Sequence, residues 1–315
     1  MRAAYVHGPG PAEGIVVGEL PEPVFGPTEV LVDVACTTVN PVDALVRAGT
    51  YPTPMPDPFV VGRDLVGRVA EPACGFRAGE WVWCNSLGHG GRQGSAAERV
   101  VVPADRLYRL PDGVAPADAV TLLHPAATAY LALFVHGALR AGQTVLVAGG
   151  AGNVGSAAVF MAVQAGARVI VTASPRDEEY CRSLGATQVL DYAVAPELRD
   201  EVDLWIDTSG TNDVTTAVTA LAERGRVLLI AAGQAQVPLP VRPLYWKSCT
   251  VGGFVISRAT TSELADAAHA VNRLLTGGQP RSRHTREATL PDLPALHSAV
   301  ERGDRGTRAV VHVAD

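Results

Sequence analysis

The chain has 315 residues, too many for one small core and enough for two domains. Hydrophobic residues make up 47% and charged residues 18%, a soluble globular balance, and a net charge of −6 offers no basic surface to nucleic acid or membrane. The apolar run Val145–Ala151 is far too short to span a bilayer, and Met1–Val6 lacks an apolar signal core, so a cytoplasmic protein is expected.

Short β-rich runs separated by Pro/Gly turns fill the first part: 3–6, 15–19, 29–35, 64–69, 80–83 and 98–102. Their even spacing predicts an all-β, barrel-like unit. The five cysteines, Cys36, Cys74, Cys84, Cys181 and Cys249, are odd in number and scattered, so inert thiols are expected rather than disulfides or structural zinc. From about Ala117 the period changes. Residues 117–139 read as helical, and strand–helix alternation follows, with strands at 144–148, 169–173, 189–191, 204–206, 227–231 and 250–254. Six such strands complete a doubly wound parallel sheet. A helix at 263–275 follows, and the last strand, 308–313, has no place in that sheet, so it returns to the first domain. The fold class is therefore α/β. Domain boundaries fall at 1–117, completed by 256–315, and at 118–255.

The richest stretch is Val145-Leu-Val-Ala-Gly-Gly-Ala-Gly-Asn-Val-Gly155, a buried strand running into a glycine turn before a helix at 156–165. Gly150, Gly152 and Gly155 fit G-x-G-x-x-G, and with Asn153 and Val154 they place backbone amides against a pyrophosphate. A glycine turn alone is weak, but the strand before it and the βαβ unit around it point to a dinucleotide site. An NAD site places an acidic residue about 20 residues later, on the ribose hydroxyls. Ser174 stands there, followed by Pro175 and Arg176, with Tyr192 after the next strand. Without a carboxylate a 2′-phosphate is not repelled, and a serine hydroxyl and a guanidinium can bind it, which predicts NADPH. The plain alternative is that Arg176 is a solvated residue at a helix start. Ala231, Ala232 and Gly233, and Phe254 after Gly252-Gly253, follow late strands where backbone groups would hold a nicotinamide; as ordinary tight turns they would do nothing of the kind.

Asn40-Pro-Val-Asp-Ala-Leu-Val-Arg-Ala-Gly-Thr-Tyr51, Gly62-Arg-Asp-Leu-Val-Gly67, Ala126-Ala-Thr-Ala-Tyr130, the glycine turn, Ser183-Leu-Gly-Ala186 and Asp207-Thr-Ser-Gly210 together have a known pattern. With them the chain resembles the zinc-independent quinone oxidoreductase branch of the medium-chain dehydrogenase/reductase superfamily, over nearly its whole length. The resemblance implies a GroES-like β-barrel domain, a Rossmann domain, NADPH in the cleft between them, and Thr128 near the nicotinamide. The positions matching the catalytic zinc ligands of metal-dependent relatives are Asn40, Arg63 and His124; one possible ligand of three predicts no metal. The resemblance also implies a homodimer, and the apolar run 251–256 would serve as its edge strand.

Without a metal to polarise an alcohol, reducing an electron-poor acceptor such as a quinone or α,β-unsaturated carbonyl is the easier chemistry. Asn40 is the candidate donor to a developing oxyanion or to the nicotinamide ribose, with a turn before Pro41 as its plain alternative. Tyr51 is the candidate wall or phenol donor; Trp246 and Phe254 are candidates for an aromatic pocket or for core. Asp43 reads as a helix cap, and His124 as structural more readily than as a proton donor. An enoyl-thioester or other double-bond reductase, or a non-catalytic NADPH-binding redox sensor, remain open.

Overall fold

The computed structural model describes residues 1–194, 198, 201–277, 282–304 and 307–313; the parts of the expected 256–315 return at 278–281, 305–306 and 314–315 lie outside them. The chain divides into two units, Met1–His124 with Leu264–Asp315, and Pro125–Glu263. The break after residue 117 expected from the change of period thus falls later, because the helix at 116–120 packs on strands of the first unit.

In chain order the first unit contains β1 (Arg2–Val6), β2 (Val16–Glu19), β3 (Glu29–Thr37), α1 (Pro41–Arg47), β4 (Phe59–Val60), β5 (Leu65–Val69), β6 (Trp81–Cys84), β7 (Arg99–Pro103), β8 (Tyr108–Arg109) and α2 (Pro116–Val120). α3 (Leu123–Tyr130) begins in this unit and continues into the second. β3 is the hub of the larger sheet: it pairs antiparallel with β5 and β7, and β6 and β8 continue beyond β5. β1 pairs with β2 and β4 in a smaller sheet. Alternating Val and Leu side chains from both sheets fill one apolar core, as the period of two requires. Four of the five thiols are buried, and burial pushes Cys36 up to about 12 and raises Cys84, so neither forms a ready thiolate. Cys74 is exposed, and all five thiols are free, as expected of scattered cysteines.

The second unit holds β9 (Thr144–Ala148), α4 (Asn153–Gln164), β10 (Arg168–Ala173), α5 (Glu178–Ser183), β11 (Gln188–Asp191), β12 (Val202–Asp207), α6 (Val214–Ala220), β13 (Leu221–Leu229), α7 (Val241–Trp246) and β14 (Thr250–Gly253). Its six strands are parallel in the order β11-β10-β9-β12-β13-β14, and β9 lies next to β10 and β12 at the point where strand order reverses. Val145, Leu146 and Val147 are fully buried, as expected for a central parallel strand. β14 is an edge strand among the described residues. The helical stretch read at 117–139 is three pieces: α2, α3 and a π-helical run at Leu131–His136.

α8 (Thr261–Gly277) then brings the chain back to the first unit, where Asn272 accepts from Trp83 Nε1 at 3.0 Å and donates to the Arg109 carbonyl at 3.1 Å. β15 (Thr285–Thr289), α9 (Leu293–Glu301) and β16 (Arg308–His312) complete the unit, and β16 pairs with β3 as the unplaced last strand required.

Candidate functional site

Each unit carries candidate functional residues of its own. In the parallel-sheet unit, β9 delivers the glycine turn to the carboxyl edge of the sheet, where open α/β sheets bind ligands. Close packing dictates the glycines. A Cβ on Gly155 would sit 2.1 Å from the Gly149 carbonyl oxygen, and one on Gly150 would sit 2.7 Å from Val171 Cβ. At Gly152 the nearest atom to such a Cβ is the Gly149 oxygen at 3.3 Å, with nothing else within 4 Å, so this residue turns its open side outward. The first bond onto the helix runs from Ser156 N to Gly152 O at 2.8 Å, and the amides of the first turn, including Val154 and Gly155, lie at the positive end of α4. Asn153 opens this helix. The cradle fits a dinucleotide pyrophosphate.

The ends of β10 and β11 bring together the residues expected at the adenosine end. Ala173 is in register with Asp191, and Tyr192 N donates to the Ala173 carbonyl at 3.3 Å, so Ser174 and Tyr192 leave adjacent strands side by side. Ser174 is half-buried, and Tyr192 and Arg176 are exposed. Arg176 Nε lies 3.8 Å from Asp177, an exposed pair that leaves the guanidinium loosely held.

At the other end of the sheet, Ala231, Ala232 and Phe254 line an open depression of about 320 Å³ with Asn212 and Gln234. Phe254 stacks on His136 at 4.2 Å. Gly233 does not line the depression, but its amide donates to the Gly210 carbonyl and to Asn212 Oδ1, each at 3.0 Å. Asn212 went unnoticed in the sequence. Its signal was an Asn shortly after a strand-ending Asp207. Trp246 is 68% exposed on α7, so it belongs neither to core nor to this depression. Thr128 is half-buried on α3.

In the barrel unit a buried polar cluster gathers at the ends of β3, β5 and β16. Asn40 Nδ2 donates to Asp64 Oδ2 at 3.1 Å and to Asp43 Oδ2 at 3.3 Å, and Asn40 Oδ1 accepts from Arg308 Nη2 at 3.0 Å. Asp43 Oδ2 also accepts from Asn40 N at 2.7 Å, which makes Asp43 the cap partner at the start of α1. Arg63 Nε lies 3.6 Å from Asp43, and His124 Nδ1 lies 3.6 Å from Asp64. Burial raises the Asp43 carboxyl against the pull of Arg63. Asn40, expected as an open donor, thus has both ends of its amide committed inside the protein: it is a hub of this cluster. Tyr51 stacks on His89 at 5.6 Å, and its hydroxyl is buried with no hydrogen-bond partner. Tyr51 lines an open depression of about 400 Å³ with Val46, Met55 and a rim of prolines.

Residues 26–112 match the family described as the alcohol dehydrogenase GroES-like domain, and 153–272 match the family described as zinc-binding dehydrogenase. The quinone oxidoreductase of Mus musculus is 28% identical over 255 residues, covering 76% of each chain. A solved alcohol dehydrogenase superfamily protein from Novosphingobium aromaticivorans superposes with a TM-score of 0.87 at 28% identity, over 100% of both chains. A mycobacterial protein solved in complex with NADPH superposes with a TM-score of 0.82 at 25% identity, over 99% of both.

The chain belongs to the medium-chain dehydrogenase/reductase superfamily, in its quinone oxidoreductase branch. It has that superfamily's GroES-like barrel and Rossmann sheet, and the family is one of NAD(P)-dependent oxidoreductases. The match covers 54%, 65% and 61% of the length of three further curated relatives. A zinc-binding description does not fit this chain's donor set. Of Asn40, Arg63 and His124 only His124 is an ordinary zinc ligand, and the buried Arg63 guanidinium adds a positive charge where an ion would need negative ones. Among the described residues no helix is long and apolar enough to cross a membrane.

Proposed function

We propose that this protein is a zinc-independent, NADPH-dependent reductase of quinones or α,β-unsaturated carbonyl compounds. The observation that carries the reading is the combination, in one chain, of a complete dinucleotide cradle with a barrel cluster that holds guanidinium groups in place of metal ligands. The cofactor, when bound, supplies a hydride. The chain's residues do the rest. The start of α4 neutralises the pyrophosphate, and Ser174, Arg176 and Tyr192 take the 2′-phosphate end, with a serine rather than an acidic residue at position 174. The loops at Ala231–Gly233 and Phe254, with Thr128, form the nicotinamide end.

Tyr51, whose hydroxyl has no hydrogen-bond partner among the described residues, is the proposed donor to the oxygen of a flat, apolar acceptor, and Asn40 holds the polar cluster of the same unit in place. The quinone oxidoreductase relatives support a small-molecule substrate, and the mycobacterial neighbour's NADPH supports the cofactor. The edge position of β14 supports a homodimer through that strand; light scattering that finds a stable monomer at micromolar concentration contradicts it. The test of the function is NADPH consumption against panels of quinones, enones and enoyl-thioesters. Turnover with the first two classes is expected. Turnover confined to enoyl-thioesters assigns a lipid or polyketide double-bond reductase instead, and tight NADPH binding without turnover assigns a redox sensor.

A further inference from the structure

The loops that follow β12 and β13 are joined by a backbone bond from Gly233 N to the Gly210 carbonyl at 3.0 Å and by the side chain of Asn212. Asp207, buried at the end of β12, gathers its own loop: Oδ1 accepts from Ser209 N at 2.9 Å, Ser209 Oγ at 2.7 Å and Gly210 N at 2.9 Å. Its Oδ2 accepts from Asn212 N at 2.7 Å and Asn212 Nδ2 at 3.1 Å. Asn212, itself buried, then reaches across to the next strand. Its Nδ2 also donates to the Ala231 carbonyl at 2.8 Å, and its Oδ1 accepts from Gly233 N at 3.0 Å.

The amide orientation is decided by this network. Turned over, its oxygen would face the Asp207 carboxylate and the Ala231 carbonyl, two acceptors, and its nitrogen would face the Gly233 N–H. The backbone is built for the same approach. Asn212 has φ +54°, a conformation asparagine tolerates better than most residues. A Cβ on Gly233 would lie 2.5 Å from the Gly210 oxygen, so only glycine lets the two loops meet.

Asn212, Ala231 and Ala232 line the same depression. We infer that Asn212 is a positioning residue for the nicotinamide half of the dinucleotide: it clamps the Ala231–Gly233 backbone to the Asp207 loop and so fixes the wall of that half-site. The inference rests on the dinucleotide reading above. It concerns one half of the ligand, because the glycine turn and the ends of β10 and β11, which would serve the other half, share none of these hydrogen bonds.

Asn212→Gly keeps the positive φ at no steric cost and removes the clamp; Asn212→Asp keeps the size but sets a carboxylate against Asp207 and the Ala231 carbonyl. Both variants are titrated with NADPH, followed by the fluorescence of the bound nicotinamide, and with adenosine 2′,5′-bisphosphate, which carries only the adenosine half. The expected result is NADPH affinity lowered about tenfold or more in both variants, with a changed emission maximum, and bisphosphate affinity within about twofold of the parent. Loss of both ligands by the same factor in either folded variant, or NADPH binding unchanged, overturns the inference. A parent protein that binds neither ligand overturns the dinucleotide reading itself, which is a separate result.

Discussion

Arg308 Nη2 donates to Asn40 Oδ1 at 3.0 Å, joining the last strand of the chain to the first helix across 268 positions. Both residues are buried, and the same Asn40 side chain donates to Asp64. Burial pulls the Arg308 pKa down, and the nearby Asp64 and Asp43 carboxylates oppose that shift.

Removing that cation leaves the Asn40 amide oxygen and the Val39 carbonyl without their Arg308 donors. Arg308→Met is expected to lower unfolding stability by about 1–3 kcal/mol, the usual cost of leaving a buried polar group unsatisfied. Urea unfolding checks it. A midpoint within experimental error of the parent contradicts the view that Arg308 holds the cluster.

A second stability effect follows from His297. The imidazole is fully buried on α9, neither ring nitrogen has a hydrogen-bond partner, and burial, with Arg47 nearby, pushes its pKa down to about 3. The unfolded chain titrates near 6.5, so as pH falls it takes up this proton first. The contribution of a neutral His297 is therefore complete above pH 6.5 and is lost progressively as pH falls toward 3. At pH 5 the loss is about 2 kcal/mol. Phe does not titrate, so His297→Phe is expected to flatten the acid limb of stability against pH. An unchanged acid limb would falsify the assignment.

Much of the fold was legible in the sequence because periodicity and glycine carry local information. The strand at 144–148 and the glycine turn declare themselves through an unbroken apolar run and residues whose Cβ would collide with Gly149 or Val171. β15 was not legible. Thr285–Thr289 is polar and mostly exposed, with Ala288 alone buried, so it has no alternation to read. α9 did carry a helical pattern, in Leu293, Leu296, His297 and Val300, that went unread. The barrel cluster was hidden for another reason. Arg63, Asp64 and Arg308 look like surface charges in a sequence, and only the pairing of β3 with β5 and of β16 with β3 gathers them into the cluster around Asn40 and Asp43. The same blindness made Asn40 look like an open donor.

Cofactor choice gives the next prediction. Arg176 is exposed, and among the described residues Asp177, at 3.8 Å, is its ion-pair partner, so its guanidinium is available to a phosphate. Arg176→Ala is expected to weaken NADPH binding roughly tenfold to a hundredfold, the worth of a charge-assisted bond of about 1.5–3 kcal/mol, with NADH binding unaffected. Ser174→Asp adds repulsion and gives NADH a ribose acceptor, so it is expected to reverse the preference. Titration of both variants with both cofactors decides it. Equal weakening of the two cofactors by Arg176→Ala contradicts the assignment.

The central claim, hydride delivery from NADPH to an electron-poor acceptor, is tested most directly by isotope transfer. NADPH deuterated on the nicotinamide carbon that donates the hydride is incubated with the protein and an enone, and the product is analysed by mass spectrometry and NMR. The account predicts deuterium from one face of the cofactor on the β-carbon of the saturated ketone, with the second hydrogen drawn from solvent. Cofactor oxidation without deuterium in the product, or no oxidation with any quinone, enone or enoyl-thioester, contradicts it.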